Sequence, residues 1–133
     1  MKDLVRKAGR EAEFQIASAA CTREELGSPV YPPARRKLAE HGIDCSGKTA
    51  RLLTKQDYSR YDLIIGMDRE NLWGMRHICG GDPEGKIHLL MDFTELPRDV
   101  ADPWYSRDFE ATWRDVDEGC RALLHRLDAE RAR

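Results

Sequence analysis

The sequence has no long apolar run and almost no net charge. Apolar runs such as residues 63–65 are far shorter than the roughly 20 residues that span a bilayer. The first 14 residues, MKDLVRKAGREAEF, have no apolar core of the kind found in signal peptides. With 22 basic and 24 acidic residues, the formal charge is -2, which gives no electrostatic attraction to nucleic acid or to a membrane. We therefore expect a cytoplasmic protein with no membrane and no nucleic-acid partner.

The cysteine spacings of a metal site or a disulfide framework are also missing. The four cysteines, Cys21, Cys45, Cys79 and Cys120, are widely separated and form no C-x-x-C pair. Without an export signal, we expect these thiols to remain reduced. The sequence therefore predicts no metal site and no other cofactor.

Helical and strand-like patterns alternate along a single expected domain, residues 1–133. Short apolar or alternating runs predict strands, and apolar residues at helical spacing predict helices. The predicted strands are 14–19, 63–67 and 86–90, and the predicted helices are 3–8, 32–41, 54–60, 69–79 and 107–131. Such alternation indicates an α/β fold with a short, mostly parallel sheet.

One stretch, GIDCSGKTAR at residues 42–51, matches two phosphate-binding signatures at once. Residues 42–49 fit the nucleotide-loop pattern G-x-x-x-x-G-K-[ST], and residues 45–51 fit the C-x5-R of cysteine phosphatases. Both loops need a strand before them and a helix immediately after them. Here a predicted helix comes before the motif, and the next one begins only at Thr54. We therefore expect neither a nucleotide site nor a nucleophilic cysteine in this stretch.

Several other segments, in order along the chain, resemble the low-molecular-weight protein tyrosine phosphatases. They are IASAA at 16–20, the helix and HGI to AR segment at 32–51, YDLIIGMDRENL at 61–72, and VADPWY followed by DFE at 100–110. The resemblance implies a three-layer α/β/α, phosphatase I-like fold. It also implies hydrolysis of a phosphotyrosine protein or small phosphoester through a phosphocysteine, without a metal.

The DPWY segment carries the clearest functional implication of the resemblance. Asp102 matches the general acid that protonates the leaving phenolate. Taken alone, Asp102 and Pro103 would be interpreted as an ordinary turn. Trp104 and Tyr105 match the aromatic wall beside the substrate ring, and packing alone would also account for them.

Three further residues take their roles from the resemblance alone. Ser18 matches a serine that supports the phosphate loop, although it also fits a strand at a sheet edge. Lys48 stands where the family often has a supporting histidine. Glu24 lies where the family varies and tunes substrate choice, and a carboxylate there disfavours a preference for phosphotyrosine peptides. Asp68 fits best as a helix N-cap.

The resemblance leaves the family's opening segment unmatched. Proteins of that family begin with a strand and a C-x5-R-S-P loop, whereas residues 1–4 resemble the middle of the helix that follows. We therefore expect an N-terminally truncated domain without its first strand, nucleophilic cysteine and phosphate-binding arginine. The chain as written is then expected to be inactive. The alternatives are a non-catalytic binding or regulatory module, or another phosphoester or arsenate chemistry on the same fold.

The implied position of the first strand leads to an expectation about stability. In the family that strand lies between those matching residues 14–19 and 63–67. Without it, both segments would expose unpaired backbone edges. We therefore expect low stability, or a homo-oligomer formed through the exposed strand edges.

Overall fold

The computed structural model describes residues 1–22, 27, 30–102 and 108–131. Its helices are α1 (Lys2–Lys7), α2 (Pro32–Glu40), α3 (Lys55–Arg60), α4 (Arg69–Cys79) and α5 (Phe109–Arg131). Its strands are β1 (Ile64–Gly66) and β2 (Ile87–Leu89), and short 3-10 turns cover Glu11–Glu13 and Leu90–Phe93. Among the described helices, none has both the length and the apolar character needed to cross a bilayer.

A βαβ unit forms the centre of the molecule. β1 and β2 are parallel, with Ile64 opposite Ile87 and Gly66 opposite Leu89. Helix α4 connects them and contacts both strands. Parallel strands need such a crossover because the chain must return to the same end of the sheet. The predicted strands at 63–67 and 86–90 and the predicted α/β class are confirmed, with shorter strands than expected.

The predicted strand at 14–19 is wrong as a paired strand. Phe14 has extended backbone angles, but residues 14–19 make no strand pairing in the structure. The first pairing comes at Ala20, which forms an isolated parallel bridge with Leu52. A strand requires a hydrogen-bonding neighbour, and the described part of the chain supplies none to these residues. We call residues 14–20 the extended arm.

Separate hydrophobic clusters cover the two faces of β1. On one face, Ile64 packs in a cluster that includes Leu53 and Met75. On the other face, Leu63 and Ile65 pack against a cluster of Leu90, Met91, Val100, Cys120 and Leu123. The second cluster draws on the apolar stripe of α5, as the helical spacing predicted. β1 is therefore a core strand, which explains its uninterrupted apolar sequence.

Local capping sets the starts of α3 and α4. The Thr54 N–H donates to the Asp57 carboxylate at 2.8 Å, and the Asn71 N–H donates to the Asp68 carboxylate at 2.8 Å. Both bonds join residues three apart, the spacing of N-terminal caps. The predicted capping role of Asp68 is confirmed, and Thr54 with Asp57 forms a capping box at the start of α3.

Candidate active site

The segment that leads to Asp102 is fixed to the carboxyl end of β1. The Val100 N–H donates to the Met67 carbonyl at 2.8 Å, directly after the strand. Val100 itself is buried in the cluster beneath α5. Asp102, half-buried, follows two residues later. The carboxyl end of a parallel sheet is where open α/β folds place their ligands.

Two side chains of α5 hold the residue immediately before Asp102. Asp115 accepts the Ala101 N–H through Oδ2 at 2.9 Å. Thr112 donates its hydroxyl to the Ala101 carbonyl at 2.7 Å. Both backbone polar groups of Ala101 are therefore bonded to one helix. We call Thr112 and Asp115 the Ala101 clamp.

An arginine braces the clamp from the loop side. Arg98 Nη2 donates to Asp115 Oδ1 at 2.8 Å and to Glu118 Oε2 at 2.9 Å. Its Nη1 donates to the Leu96 carbonyl at 2.8 Å. Each oxygen of Asp115 therefore has its own donor, so the carboxylate is fixed in orientation.

Loss of the clamp is expected to loosen the segment before Asp102. Asp115→Ala removes an acceptor from Ala101 and from Arg98, and should cost about 1.5–3 kcal/mol of unfolding free energy. Amide exchange at Ala101 should accelerate at least roughly tenfold, because a local opening less stable by 1.4 kcal/mol is ten times more populated. Chemical denaturation and residue-resolved hydrogen exchange measure the two effects.

A matched control lies on the same helix. Asp117 forms an ion pair at 3.1 Å with Arg121, one turn further along the same helix. Asp117→Ala should change stability by about 0.5 kcal/mol or less and leave exchange at Ala101 unchanged. Equal exchange rates at Ala101 in the two variants would show that Asp115 does not hold the segment.

A gap separates the extended arm from β1. Two cavities, of about 620 Å³ and about 420 Å³, lie between these elements. Both are lined by Ala17 on the arm and by Leu63, Ile65 and Met67 on or beside β1. Ser18 and Arg51 line the larger one. The gap therefore runs along the side of β1 that faces away from β2.

The structure brings two of the predicted site residues together. Ser18 and Lys48 line the same cavity of about 190 Å³, which also includes Arg51. Both are exposed, and Ser18 lies on the unpaired arm rather than in a strand. Their proximity agrees with a shared supporting position, and their roles stay predictions. Glu24, Trp104 and Tyr105 lie outside the described residues.

Arg51 forms a paired charge with a buried aspartate. Arg51 donates through both terminal nitrogens to Asp57, at 3.1 and 3.3 Å. Asp57 is only 5% exposed, and it also accepts the Thr54 N–H and hydroxyl. Burial raises the pKa of the Asp57 carboxyl, but hydrogen bonds from Arg51 and Thr54 outweigh burial and hold that pKa below its ordinary value. Arg51, the arginine of the C-x5-R motif, is therefore held in a structural ion pair with Asp57.

Removing that carboxylate is expected to destabilise the fold. Asp57→Ala leaves the α3 cap open and Arg51 without its partner. We expect a loss of about 2–3 kcal/mol, below the range for fully buried pairs because Arg51 is partly solvated. Urea denaturation measures the free energy of unfolding of this variant, and Asp44→Ala is the control. Asp44 is an exposed loop residue whose carboxylate accepts the Ser46 N–H at 2.9 Å.

The lowered pKa of Asp57 also fixes the sign of a pH effect. Its contribution to stability is fully present above the unfolded-state pKa, about 3.9, and is lost as pH falls through the lower folded-state pKa. Asp57→Asn should therefore flatten the loss of stability below about pH 4. If Asp57→Asn loses stability below about pH 4 as steeply as the wild type, other carboxylates cause that loss.

The double phosphate motif has neither required context. Helix α2 ends at Glu40 just before it, Gly42 continues the chain with a φ of 73°, and the next helix begins only at Lys55. Cys45 is half-buried in this loop, and its carbonyl accepts the Lys48 N–H. The stretch therefore connects α2 and α3, as the predicted helices indicate, and the absence of a nucleotide site and of a nucleophilic cysteine stays a prediction.

The sequence contains a second C-x5-R pair, Cys120 and Arg126, which the motif analysis missed. Both residues lie within α5, and Cys120 is buried. A continuous helix cannot form a phosphate-binding loop, because its backbone N–H groups are already paired. All four cysteines are free thiols. Burial raises the pKa of Cys21 and of Cys79, which disfavours their thiolate forms.

The Ala101 clamp was also missed, although it has a weak sequence signal. Thr112, Asp115 and Glu118 recur every third residue along a helix whose opposite stripe is apolar. Such spacing indicates one shared face. Nothing in the spacing shows that this face binds the loop containing Arg98 and Ala101.

Comparison with known proteins points to one family. The family model described as low molecular weight phosphotyrosine protein phosphatase matches residues 1–133. The low molecular weight protein-tyrosine-phosphatase YfkJ of Bacillus subtilis is 32% identical over 132 residues, covering 98% of this chain and 85% of the relative. The Drosophila melanogaster low molecular weight phosphotyrosine protein phosphatase 2 is 33% identical, over 93% of this chain and 78% of the relative.

Solved structures agree with the sequence matches. The crystal structure of YfkJ superposes with a TM-score of 0.91 over 97% of this chain and 82% of that one. The Drosophila arginine phosphatase structure superposes with a TM-score of 0.77 at 23% identity, and so shares the fold.

Proposed function

Because this chain belongs to the low molecular weight phosphotyrosine protein phosphatase family, we propose that it serves the hydrolysis of a phosphate monoester of tyrosine, with Asp102 as the general acid. The observation that supports this most directly is the Ala101 clamp. The clamp and the Val100 bond to Met67 place Asp102 in a fixed segment at the carboxyl end of β1. A general acid needs such a fixed position, because proton transfer requires hydrogen-bond reach of the leaving oxygen.

The other predicted residues have supporting roles in this proposal. Trp104 and Tyr105 would flank the aromatic ring of the substrate, and Glu24 would bias substrate choice. Ser18 and Lys48, which line one cavity, would support the phosphate-binding loop. No step of the proposed reaction calls for a metal.

Turnover would require a nucleophilic cysteine in a phosphate-binding loop, and none of the four cysteines lies in such a loop. Phosphocysteine chemistry needs a thiolate stabilised by a phosphate-binding loop at a helix N-terminus. The Cys45 and Cys120 pairs lie in a connecting loop and inside a helix. We therefore propose that residues 1–133 supply the general acid, Asp102, and that they do not contain the nucleophilic loop.

The 133-residue protein is accordingly expected to release no phosphate from p-nitrophenyl phosphate above background. The matched comparison is Cys45→Ser, which removes the thiol of the most motif-like cysteine and keeps its size. Turnover that disappears in Cys45→Ser would make Cys45 the nucleophile and contradict the proposal.

The DNA upstream of Met1 distinguishes a catalytic protein from a non-catalytic relative. An in-frame strand followed by C-x5-R-S-P would support catalysis, and the longer protein should hydrolyse aryl phosphates. An immediate stop codon would support a binding or regulatory module. Since one fold hosts several chemistries, the substrate panel should compare phosphotyrosine peptides with phosphoarginine and small phosphoesters.

A further inference from the structure

Helix α4 exposes a large aromatic side chain that the packing of the core does not use. Trp73 is 77% exposed, the highest value among the large hydrophobic residues that the structure describes. Met75 and Cys79 are the buried residues of α4, and both belong to the cluster on one face of β1. At 100° per residue, Trp73 lies on the opposite side of the helix from both of them. Tryptophan is enriched where one protein binds another, so this face is a candidate interaction surface.

Two arginines lie on the same face of α4 as Trp73. Arg69 precedes Trp73 by four residues and Arg76 follows it by three, so the three exposed side chains are neighbours on the helix surface. Arg51 and Arg98 each form an ion pair with an aspartate. By contrast, Arg69 and Arg76 have no such acidic partner anywhere in the described part of the chain. We call Arg69, Trp73 and Arg76 the α4 strip.

The carboxyl end of α4 adds a further positive charge. The Lys55 ammonium lies beside Gly80, which ends the helix, with Nζ 3.8 Å from the position that a Cβ atom on Gly80 would occupy. Asp82, in the turn that follows, accepts the Tyr58 hydroxyl at 2.9 Å and is bonded internally. Glu70 is the exposed acidic residue of α4 and lies in its first turn. The strip together with Lys55 is therefore positive overall, although the whole chain has a formal charge of -2.

The spacing of the strip matches packing against a second helix. Residues 69, 73, 76 and 80 are separated by four, three and four positions, the spacing of the contact seam between paired helices. Arg69 and Arg76 lie seven residues apart, about 10.5 Å along the helix axis. Two carboxylates seven residues apart on a partner helix have the same separation. Trp73 lies between the two arginines, where an apolar side chain of that helix can pack on the indole ring.

The same face is less suited to a membrane or to nucleic acid. Helices that bind a bilayer insert a whole apolar face, whereas Leu72, Met75 and Ile78 of α4 pack in the core. A polyanion such as nucleic acid would meet Glu70 and the net negative charge of the chain. An acidic helix can place single carboxylates against the two arginines and avoid Glu70. Charge complementarity therefore favours an acidic polypeptide.

We propose that the α4 strip is a docking surface for an acidic helix of a partner protein, in which carboxylates seven residues apart face Arg69 and Arg76. An apolar side chain between those carboxylates would pack on Trp73 and bury the indole ring. The aromatic ring would supply most of the affinity, and the charges would orient the helix. Because the strip lies outside the candidate active site, this inference goes beyond the proposed function and does not depend on Asp102.

The test uses the 133-residue protein and a synthetic helical peptide. The probe is two copies of the heptad Glu-Ala-Gln-Leu-Ala-Gln-Ala followed by Glu, with acetyl and amide ends. One control peptide replaces each Glu with Gln, and a second replaces each Leu with Ala, so both keep the length and the helix propensity. Titration calorimetry measures binding. NMR locates it through the indole N–H signal of Trp73, which is assigned by its loss in Trp73→Phe.

We expect saturable binding of the probe with a Kd below about 1 mM, as for a small, transient interface. The Gln peptide should bind about tenfold more weakly because it cannot pair with the arginines. The Ala peptide should also bind about tenfold more weakly because it leaves the indole ring uncovered. Added NaCl should weaken binding of the probe, since salt screens exposed charges. The indole N–H signal of Trp73 should shift during the titration.

Variants of the strip give a second, independent measurement. Arg76→Glu should weaken binding of the probe about tenfold. The matched control is Arg36→Glu, an exposed arginine of α2, a helix that packs against α5, and it should bind normally. The double variant Arg69→Glu with Arg76→Glu should instead bind a peptide in which Lys replaces each Glu. A misfolded protein could not show that gain.

Several results would overturn the proposal. They are no binding of the probe at about 1 mM, equal binding of the Gln peptide, and signal changes confined to residues outside α4. Tighter binding of oligothymidylate of the same length would show a nucleic-acid surface instead. Tighter binding of vesicles of phosphatidylserine and phosphatidylcholine in equal parts would show a membrane surface. A dimer that dissociates in Trp73→Ala would place a second copy of the chain on the strip.

Discussion

Alone in solution, the 133-residue protein is expected to melt broadly at low temperature, or to self-associate. The reason is the second edge of β1, which no strand among the described residues covers. In an ordinary α/β sheet, a neighbouring strand on that edge would bury further apolar side chains. Each buried Val, Ile or Leu side chain contributes roughly 1.5–3 kcal/mol. Four such residues would contribute roughly 6–12 kcal/mol, comparable with the whole stability of an ordinary domain, about 5–15 kcal/mol.

Thermal melting by circular dichroism, together with light scattering at several protein concentrations, measures this. Association through the open edges should be suppressed by Ala17→Lys, because a charged side chain on an exposed edge opposes edge-to-edge pairing. Ala12→Lys, outside the gap, should leave it unchanged. A monodisperse monomer with a sharp melt between about 45 and 65 °C would show that the sheet is stable without a further strand.

The second large effect concerns Asp102 in any form of the protein that turns over phosphotyrosine. Asp102→Asn removes the transferable proton and nearly preserves side-chain shape, so kcat should fall by about 10²–10⁴-fold for a phosphotyrosine substrate. The loss should be smaller for p-nitrophenyl phosphate, because a stable leaving phenolate needs less protonation.

Steady-state kinetics over a series of leaving groups tests this assignment. Asp99→Asn is a matched control, because Asp99 is exposed three residues earlier in the same loop. It should leave both kcat and its dependence on the leaving group unchanged. An Asp102→Asn protein with a uniform loss across all leaving groups would indicate a structural role for Asp102 instead of proton donation.

Features that depend on neighbouring residues were predictable from the sequence. The caps at Thr54 with Asp57 and at Asp68 with Asn71 form between residues three apart, so residue type and spacing suffice to predict them. The uninterrupted apolar run at 63–67 required a strand covered on both faces, and the structure places separate clusters there. The order of short motifs along the chain indicated the family.

Features that depend on distant residues needed the structure. The Asp115 bond to Ala101 spans 14 residues, and the Val100 bond to Met67 spans 33. Neither follows from local pattern, since many chain paths satisfy the same helix and strand preferences. Arg51 was recognised as part of a motif, yet its pairing with buried Asp57 depends on how the loop folds onto α3.

The extended arm shows most clearly the difference between features that neighbouring residues determine and features that distant residues determine. Its alternating sequence predicted an extended backbone, which Phe14 has, because backbone preference is a local property. Whether it became a strand depended on a neighbouring edge at hydrogen-bond distance, which is a property of the packed chain. By itself the sequence therefore determined the α/β elements, the caps and the family. The tertiary structure decided the clamp before Asp102, the ion pair that holds Arg51, and the open gap beside β1.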